Sequence, residues 1–266
     1  MTKIKTGDLV LFFYNDSKKW LLKISKKDQF HSHIGIIKHA DAIGKEFGSR
    51  LVTNKDKYVY LLKPTIHDHV MKMQHGTQIV YPKDLGYIAA RTGLQSGQKV
   101  VEIGTGSGSL TTFLASIVKP RGHVYTFDVE PKFMEIAEKN IKKAGMLKYV
   151  TMHNQNLKKS RKLPIDECDL AIIDLGDPWE VLPQVRKMLK SSGSVVAICP
   201  TMNQLEKLSA AFVENEFSDI ESTEHILRRI EARDGKTRHS YQGIGHTTYL
   251  AMARKVYFNK KRSKKK

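Results

Sequence analysis

The stretch "VVEIGTGSGSLTTFLA", Val100–Ala115, decides the fold. An apolar run holding one acid leads into Gly104, Gly106 and Gly108, and an apolar helical pattern follows at once. That order reads as a strand, a tight turn and a helix start. A dinucleotide turn, G-x-G-x-x-G, would place its third glycine where Ser109 stands. A Walker loop needs Gly-Lys followed by Ser or Thr, and the turn has no lysine. The pattern that fits is E-x-G-x-G-x-G, from Glu102 through Gly104 and Gly106 to Gly108.

Glycines let the backbone pass close to a ligand without a Cβ clash. An acid ahead of them is wrong for a pyrophosphate but suits a ligand carrying an ammonium and a sulfonium. S-adenosyl-L-methionine is such a ligand. A second acid should then grip its ribose from the end of the next strand, and "HVYTFDVEP" supplies Asp128 there. The same acid also suits the helix N-terminus that follows. In "HNQNL", Asn156 is placed either to reach an adenine edge or to cap a turn.

Outward from this turn, strands and helices alternate. "KVVEI", "HVYTF", "VTMH", "DLAIIDL" and "SVVAIC" read as strands. "SLTTFLASIV", "PKFMEIAEKNIKKAG", "PWEVLPQVRKMLK" and "TMNQLEKLSAAFVEN" read as helices. This grammar predicts an α/β fold, a doubly wound and mostly parallel Rossmann-like sheet. Two long strands, "FSDIESTEHILRR" and "TTYLAMARKVYF", close it around a polar loop at 231–245, the final strand antiparallel. Ahead of the sheet, "YPKDLGYIAARTG" reads as a helix with Pro82 at an early position and Gly93 past its end.

Residues 1–63 read differently. "DLVLFFY", "KWLLKI", "HIGIIK", "SRLVTN" and "KYVYLLK" are short strands of a small β domain. "PTIHDHVMKMQ" reads as a short helix starting at Pro64 within a linker, 64–80. The expected organisation is a β-rich domain at 1–63, that linker, a catalytic domain at 81–258 and a basic tail at 259–266.

Charge and composition narrow the partners. The chain has 266 residues and a formal net charge of +18. The last thirteen residues, "RKVYFNKKRSKKK", hold eight lysines or arginines and no acid, so the body without them is still near +10. A basic body with a basic tail favours a polyanion, and nucleic acid fits better than a membrane. No apolar run is long enough to span a bilayer. Cys168 and Cys199 lie in apolar strand-like runs, which suggests a reduced, cytoplasmic protein. The eleven histidines form no zinc pattern, so no metal is expected.

The second telling stretch is "CDLAIIDLGDPWEVLPQV". Its apolar strand ends in Asp174, and ligand groups in doubly wound sheets gather at carboxyl ends of strands. Asp174 is therefore expected to face the cofactor crevice. Asp177 reads as a helix N-cap, with Pro178 at the first helical position. Trp179 suits either stacking on a base or packing in the core.

Taken together, "GTQIVYPKDLGYIAARTGLQSGQKVVEIGTGSGSLTTFLA", "YTFDVEPKFMEIAEKNI", "DLAIIDLGDPWEVL" and "GIGHTTYLAMARK" resemble the tRNA (adenine-58-N1)-methyltransferase family over nearly the whole chain. The combination T-Q-x-x-Y-P-K-D before E-x-G-T-G-S-G is specific to it. The glycine motif alone marks only methyltransferases in general. The resemblance implies a class I S-adenosylmethionine-dependent enzyme, a homotetramer, that methylates N1 of adenine in the T loop of tRNA. Some archaeal members also modify position 57. By position it implies a cofactor loop at 104–110, including Ser107, Ser109 and Leu110, with Asp128 on the ribose. It implies Gln78 and Tyr81 over the active site, and Asp174 as the catalytic carboxylate. Gly245, His246 and Thr247 fall in the last shared motif. The chain departs from the family at Gly76, where arginine is common, and at Asn156, where aspartate is frequent. It departs again at Gly176, where proline is usual, and at Ile198, where bacterial members place tyrosine. A non-catalytic tRNA-binding subunit of the same fold would show degraded glycines or lack Asp174; neither is seen.

Overall fold

The packing divides the chain between Met73 and Gln74. The computed structural model describes residues 2–76, 78–160, 165–241, 243 and 245–257. The expected basic tail, 259–266, lies outside the described residues.

The first unit holds β1 (Leu9–Asn15), β2 (Lys18–Lys23), β3 (Gln29–Ser32), β4 (Gly35–Lys38), β5 (Arg50–Val52), β6 (Tyr58–Leu62) and α1 (Ile66–Lys72). Four strands form an antiparallel sheet in the order β2-β1-β6-β5, and β3 with β4 forms a separate hairpin. Along β6 the pattern is strictly alternating: Val59 and Leu61 are buried, Tyr58 and Tyr60 exposed. The inward set joins Phe12, Ile24 and Phe30 in one core. The strand expected at "HIGIIK" begins two residues late, at Gly35, because the chain turns between Ser32 and Gly35, and it pairs with "QFHS", which the sequence reading does not count as a strand. The helix expected from Pro64 starts two residues later. Thr65 is its N-cap and makes a reciprocal capping box with Asp68. The division at Met73 puts this helix in the first unit and residues 74–80 in the second, where a single linker was expected.

The second unit holds α2 (Pro82–Thr92), β7 (Lys99–Ile103), α3 (Ser109–Val118), β8 (His123–Asp128), α4 (Pro131–Lys143), β9 (Val150–Asn154), β10 (Cys168–Ile173), α5 (Leu182–Met188), β11 (Leu189–Cys199), α6 (Met202–Glu214), β12 (Phe217–Glu224), β13 (Ile230–Glu231), β14 (Arg238–His239) and β15 (Tyr249–Lys255). Seven strands make one sheet, ordered β12-β15-β11-β10-β7-β8-β9. β7, β8, β9, β10 and β11 run parallel, while β15 is antiparallel to both its neighbours. In β10 every residue from Leu170 to Ile173 is buried, as a central parallel strand covered on both faces requires.

Two elements differ from the sequence reading. The helix expected across 178–190 splits into a 3-10 turn, Pro178–Val181, and α5. Pro183 supplies no N–H to continue a longer helix through this point. The strand expected over 217–229 stops at Glu224. Between it and β15, β13 and β14 form a small antiparallel hairpin inside the expected polar loop.

Candidate active site

The strand order reverses between β7 and β10. In open parallel sheets that reversal leaves a crevice at the carboxyl ends of the two strands. Gly104 follows β7 and Asp174 follows β10, so both meet at this point. The Asp174 N–H donates to the Ile103 carbonyl at 2.8 Å, and the Gly104 N–H to the Phe127 carbonyl at 2.8 Å. Gly104 has φ +105°, and a Cβ added there would stand 2.2 Å from the Asp174 carbonyl oxygen. Only glycine lets the two strand ends approach this closely.

A cleft of about 600 Å³ opens above them. Gln78, Tyr81, Gly104, Gly106, Asp128 and Asp174 all line it, so the structure brings these expected residues together. A smaller cavity of about 210 Å³ adjoins it. That cavity shares Gly104, Asp128, Leu175 and Gly176, and adds Val129, Asn156 and Leu157.

Asp128 closes β8 and holds the turn as well as lining the cleft. One carboxylate oxygen accepts the Gly106 N–H at 2.9 Å, and the other accepts the Glu130 N–H at 3.0 Å. Asn156 accepts the Lys158 N–H at 3.0 Å, the turn-capping role, while its residue faces the smaller cavity. Asp174 is pushed up to about 6, first by burial and then by the charge of Asp128.

Other expected residues lie elsewhere. Glu102 does not line the cleft. Its side chain is fully buried behind the turn, where one oxygen accepts from Thr111 Oγ1 at 2.5 Å and the Thr126 hydroxyl also favours the carboxylate. Burial pushes its carboxyl up to about 8. Ser107, Gly108, Ser109 and Leu110 are buried and shape the turn from behind. Ser107 Oγ accepts the Gly76 N–H at 3.0 Å. Asn140 of α4 donates to the carbonyls of Gln74 and Ser107, which ties the segment ahead of α2 to the glycine turn. Gly76 packs there too, since a Cβ would meet Ile136 at 3.0 Å.

Asp177 occupies the N-cap position, but its side chain caps nothing and lies 3.9 Å from Lys158 Nζ. Trp179 packs against the sheet core, with Lys207 Nζ 3.9 Å from its ring centroid, and is not a wall of the cleft. Cys168 and Cys199 are free and buried, and burial pushes their thiols up to about 12 and about 11. Among the described residues no cluster of three metal-ligating side chains occurs, and no helix is long and apolar enough to cross a membrane.

The cleft also holds groups whose role the sequence did not give. Asp84, in the first turn of α2, is fully buried. Lys83 Nζ reaches it at 2.8 Å and also reaches Thr247 Oγ1 at 2.7 Å. Thr247 in turn donates to Asp84 at 3.2 Å, and His225 Nδ1 lies 3.3 Å from it. This network closes one wall with the otherwise unexplained last motif. His246 of the same motif bridges Glu224, at 2.6 Å, and the Pro200 carbonyl, at 3.1 Å. From sequence Asp84 is only the last residue of the T-Q-x-x-Y-P-K-D combination; its partners His225 and Thr247 come from far along the chain, just after β12 and just before β15.

Comparison with known proteins agrees with this geometry. A family model described as "tRNA methyltransferase complex GCD14 subunit" matches residues 57–266. The Methanocaldococcus jannaschii protein named tRNA (adenine(57)-N(1)/adenine(58)-N(1))-methyltransferase TrmI is 33% identical over 89% of this chain and 91% of its own. The crystal structure of tRNA (m1A58) methyltransferase TrmI from Aquifex aeolicus superposes with a TM-score of 0.85 at 31% identity, covering 97% of this chain and all of that one. A Thermotoga maritima structure titled SAM-dependent O-methyltransferase gives a TM-score of 0.91 at 30% identity over 97% of this chain and 96% of that one. With its sheet, its glycine turn and four-fifths of its length accounted for by these matches, the chain belongs to the tRNA methyltransferase family of the GCD14 subunit.

Proposed function

We propose that the chain transfers a methyl group from S-adenosyl-L-methionine to N1 of adenine 58 in the T loop of tRNA. The observation that carries this reading is the position of Asp174. It follows the end of β10, at the strand-order reversal, in a cleft that shares Gly104 and Asp128 with an adjoining cavity. Two adjoining chambers fit two ligands that must meet.

The residues present fit the cofactor. Val129 and Leu157 give the smaller cavity apolar walls for a planar base, with Asn156 at its edge. Asp128, shared by both chambers, suits the ribose hydroxyls. S-adenosylmethionine supplies an electrophilic methyl on a sulfonium. Adenine N1 carries an in-plane lone pair, so no proton must leave it first and no strong base is required. As the N–C bond forms and the C–S bond breaks, the adenine becomes cationic. Asp174, ionised in most molecules at neutral pH because its pKa is about 6, accepts a hydrogen bond from the exocyclic amine and offsets that charge. Tyr81, at the N-cap of α2 and in the cleft wall, provides a ring against which an extruded base can lie.

The cytoplasm and a homotetramer are the proposed setting and assembly, from the family resemblance. The alternative of a non-catalytic tRNA-binding subunit is disfavoured, because Asp174 and the glycine turn are both in place. A tritiated-methyl assay on unmodified tRNA, followed by nucleoside mapping, tests the reading. Label at N1 of adenine 58 is expected, and mapping decides whether position 57, which appears in the relative's name, is also used. Label elsewhere, or none, overturns it.

A further inference from the structure

The sheet of the first unit has one face in its core and part of the other bare. On the bare side Phe13 pairs with Lys19 of β2 and with Tyr60 of β6, and Tyr60 pairs with Arg50 of β5. Directly paired residues share a face, so one row crosses all four strands as Lys19, Phe13, Tyr60, Arg50. Tyr58, two residues from Tyr60, points the same way about 7 Å further along β6. Its partner is Val52. Tyr58 is 50% exposed, Tyr60 41% and Val52 54%. The Arg50 guanidinium sits 4.3 Å from the Tyr58 ring centroid.

Exposed rings side by side cost solvation, and here cations and no acid share their face. Asp16 and Asp56, the acids nearest in sequence, lie in the turns beyond the strand ends. Residues 1–73 carry fourteen lysines or arginines against seven acids. Aromatic rings with flanking cations on a small sheet match the chemistry of unpaired nucleic acid, whose bases stack and whose phosphates pair with Arg and Lys. A protein partner would need neither the cation excess nor the ring spacing.

We propose that this face is a stacking platform for unpaired RNA bases. Tyr58, Tyr60 and Phe13 take base faces, and Arg50 and Lys19 hold the adjoining phosphates. The inference rests on the reading of tRNA as substrate and adds which residues of the first unit hold its unpaired nucleotides.

The test titrates the full-length protein with an unmodified tRNA transcript, a single-stranded RNA and a duplex of equal length, at several salt concentrations. The double variant Tyr58→Ala/Tyr60→Ala should bind the single strand at least roughly thirtyfold more weakly, with the salt slope unchanged, because stacking releases no counterions. Its duplex binding should not change. Tyr58→Phe/Tyr60→Phe keeps the rings and should keep the affinity. Arg50→Gln should lower the salt slope by about one. Tyr58→Leu, which keeps apolar bulk, carries the same comparison if the double alanine variant does not fold. Wild-type affinity in the alanine variant overturns the proposal. So does equal loss in the phenylalanine variant, or a loss that tracks a changed oligomeric mass in light scattering, which would make the face a contact between copies. Methylation of the same transcript by the wild-type protein is scored separately. No methylation sinks the substrate reading, whereas methylation together with unchanged binding by the alanine variant sinks the platform alone.

Discussion

A Cβ on Gly104 would stand 2.2 Å from the carbonyl oxygen of Asp174, so the backbone of one strand end occupies the space a side chain would need at the other. This contact sets where the Asp174 carboxylate lies. Gly104→Ala meets both the clash and a φ of +105°, and should destabilise the fold by roughly 3 kcal/mol or more. Gly176→Ala is the control: that residue lines the same cleft, but nothing lies within 4 Å of an added Cβ. Thermal unfolding of the two variants should therefore diverge. Equal melting temperatures would show that the strand ends can part without cost.

Asp174→Ala should leave tRNA binding nearly intact, since phosphate contacts elsewhere supply most of it. The single-turnover methyl-transfer rate should fall by roughly 10²–10³, the scale for one preorganised electrostatic contact. Asp174→Asn keeps size but loses charge, and should be nearly as slow. With a carboxyl at about 6, the wild-type rate should rise with pH through that value and level off above it. An Asn variant that retains most of the rate would reduce Asp174 to positioning the base.

Glu102 predicts a stability effect of definite sign. Its folded-state pKa, about 8, lies above its ordinary value of 4.5. This group's contribution to stability is therefore fully present below pH 4.5 and erodes as pH rises towards 8, because the unfolded chain ionises the carboxyl while the folded protein must keep it protonated. Glu102→Gln keeps the acceptor for Thr111 and removes that penalty. The variant's melting temperature, compared with wild type, should shift in its favour between pH 5 and pH 8. A constant difference across that range would contradict the burial-driven shift.

Much of this was legible in local sequence. The glycine turn, the alternating strands and helices, Pro82 and Gly93 at the ends of α2, and the acids that end β8 and β10 all follow from short-range rules. Glu102 was not: an acid in an apolar strand reads the same whether it faces a ligand or a buried threonine such as Thr111. Trp179 was open for the same reason, and the core took it. The wall built from Lys83, Asp84, His225 and Thr247 joins residues more than 160 positions apart, and no local pattern encodes such a meeting. The break in the helix across 178–190 falls at Pro183, whose missing N–H is a local signal.

His246 gives the last prediction. Both of its ring nitrogens face acceptors, Nδ1 the Glu224 carboxylate and Nε2 the Pro200 carbonyl. A neutral imidazole has one N–H and can satisfy only one of them, so the doubly bonded form is the imidazolium. The hydrogen bond to Glu224 is the main cause of its raised pKa, the Pro200 carbonyl adds to it, and Lys83 opposes it. In that form the ring braces the exits of β11 and β12 against the last motif, and one brace is lost as pH rises through the elevated value. Ring-proton chemical shifts of His246, followed by NMR across pH, should report titration above the ordinary histidine value of about 6.5. Glu224→Gln should bring it back towards that value, because the partner's charge is gone while a hydrogen-bond acceptor remains. Titration of the wild-type ring at or below 6.5 would mean that the brace carries a neutral imidazole, and that the cleft wall has no dependence on pH at this residue.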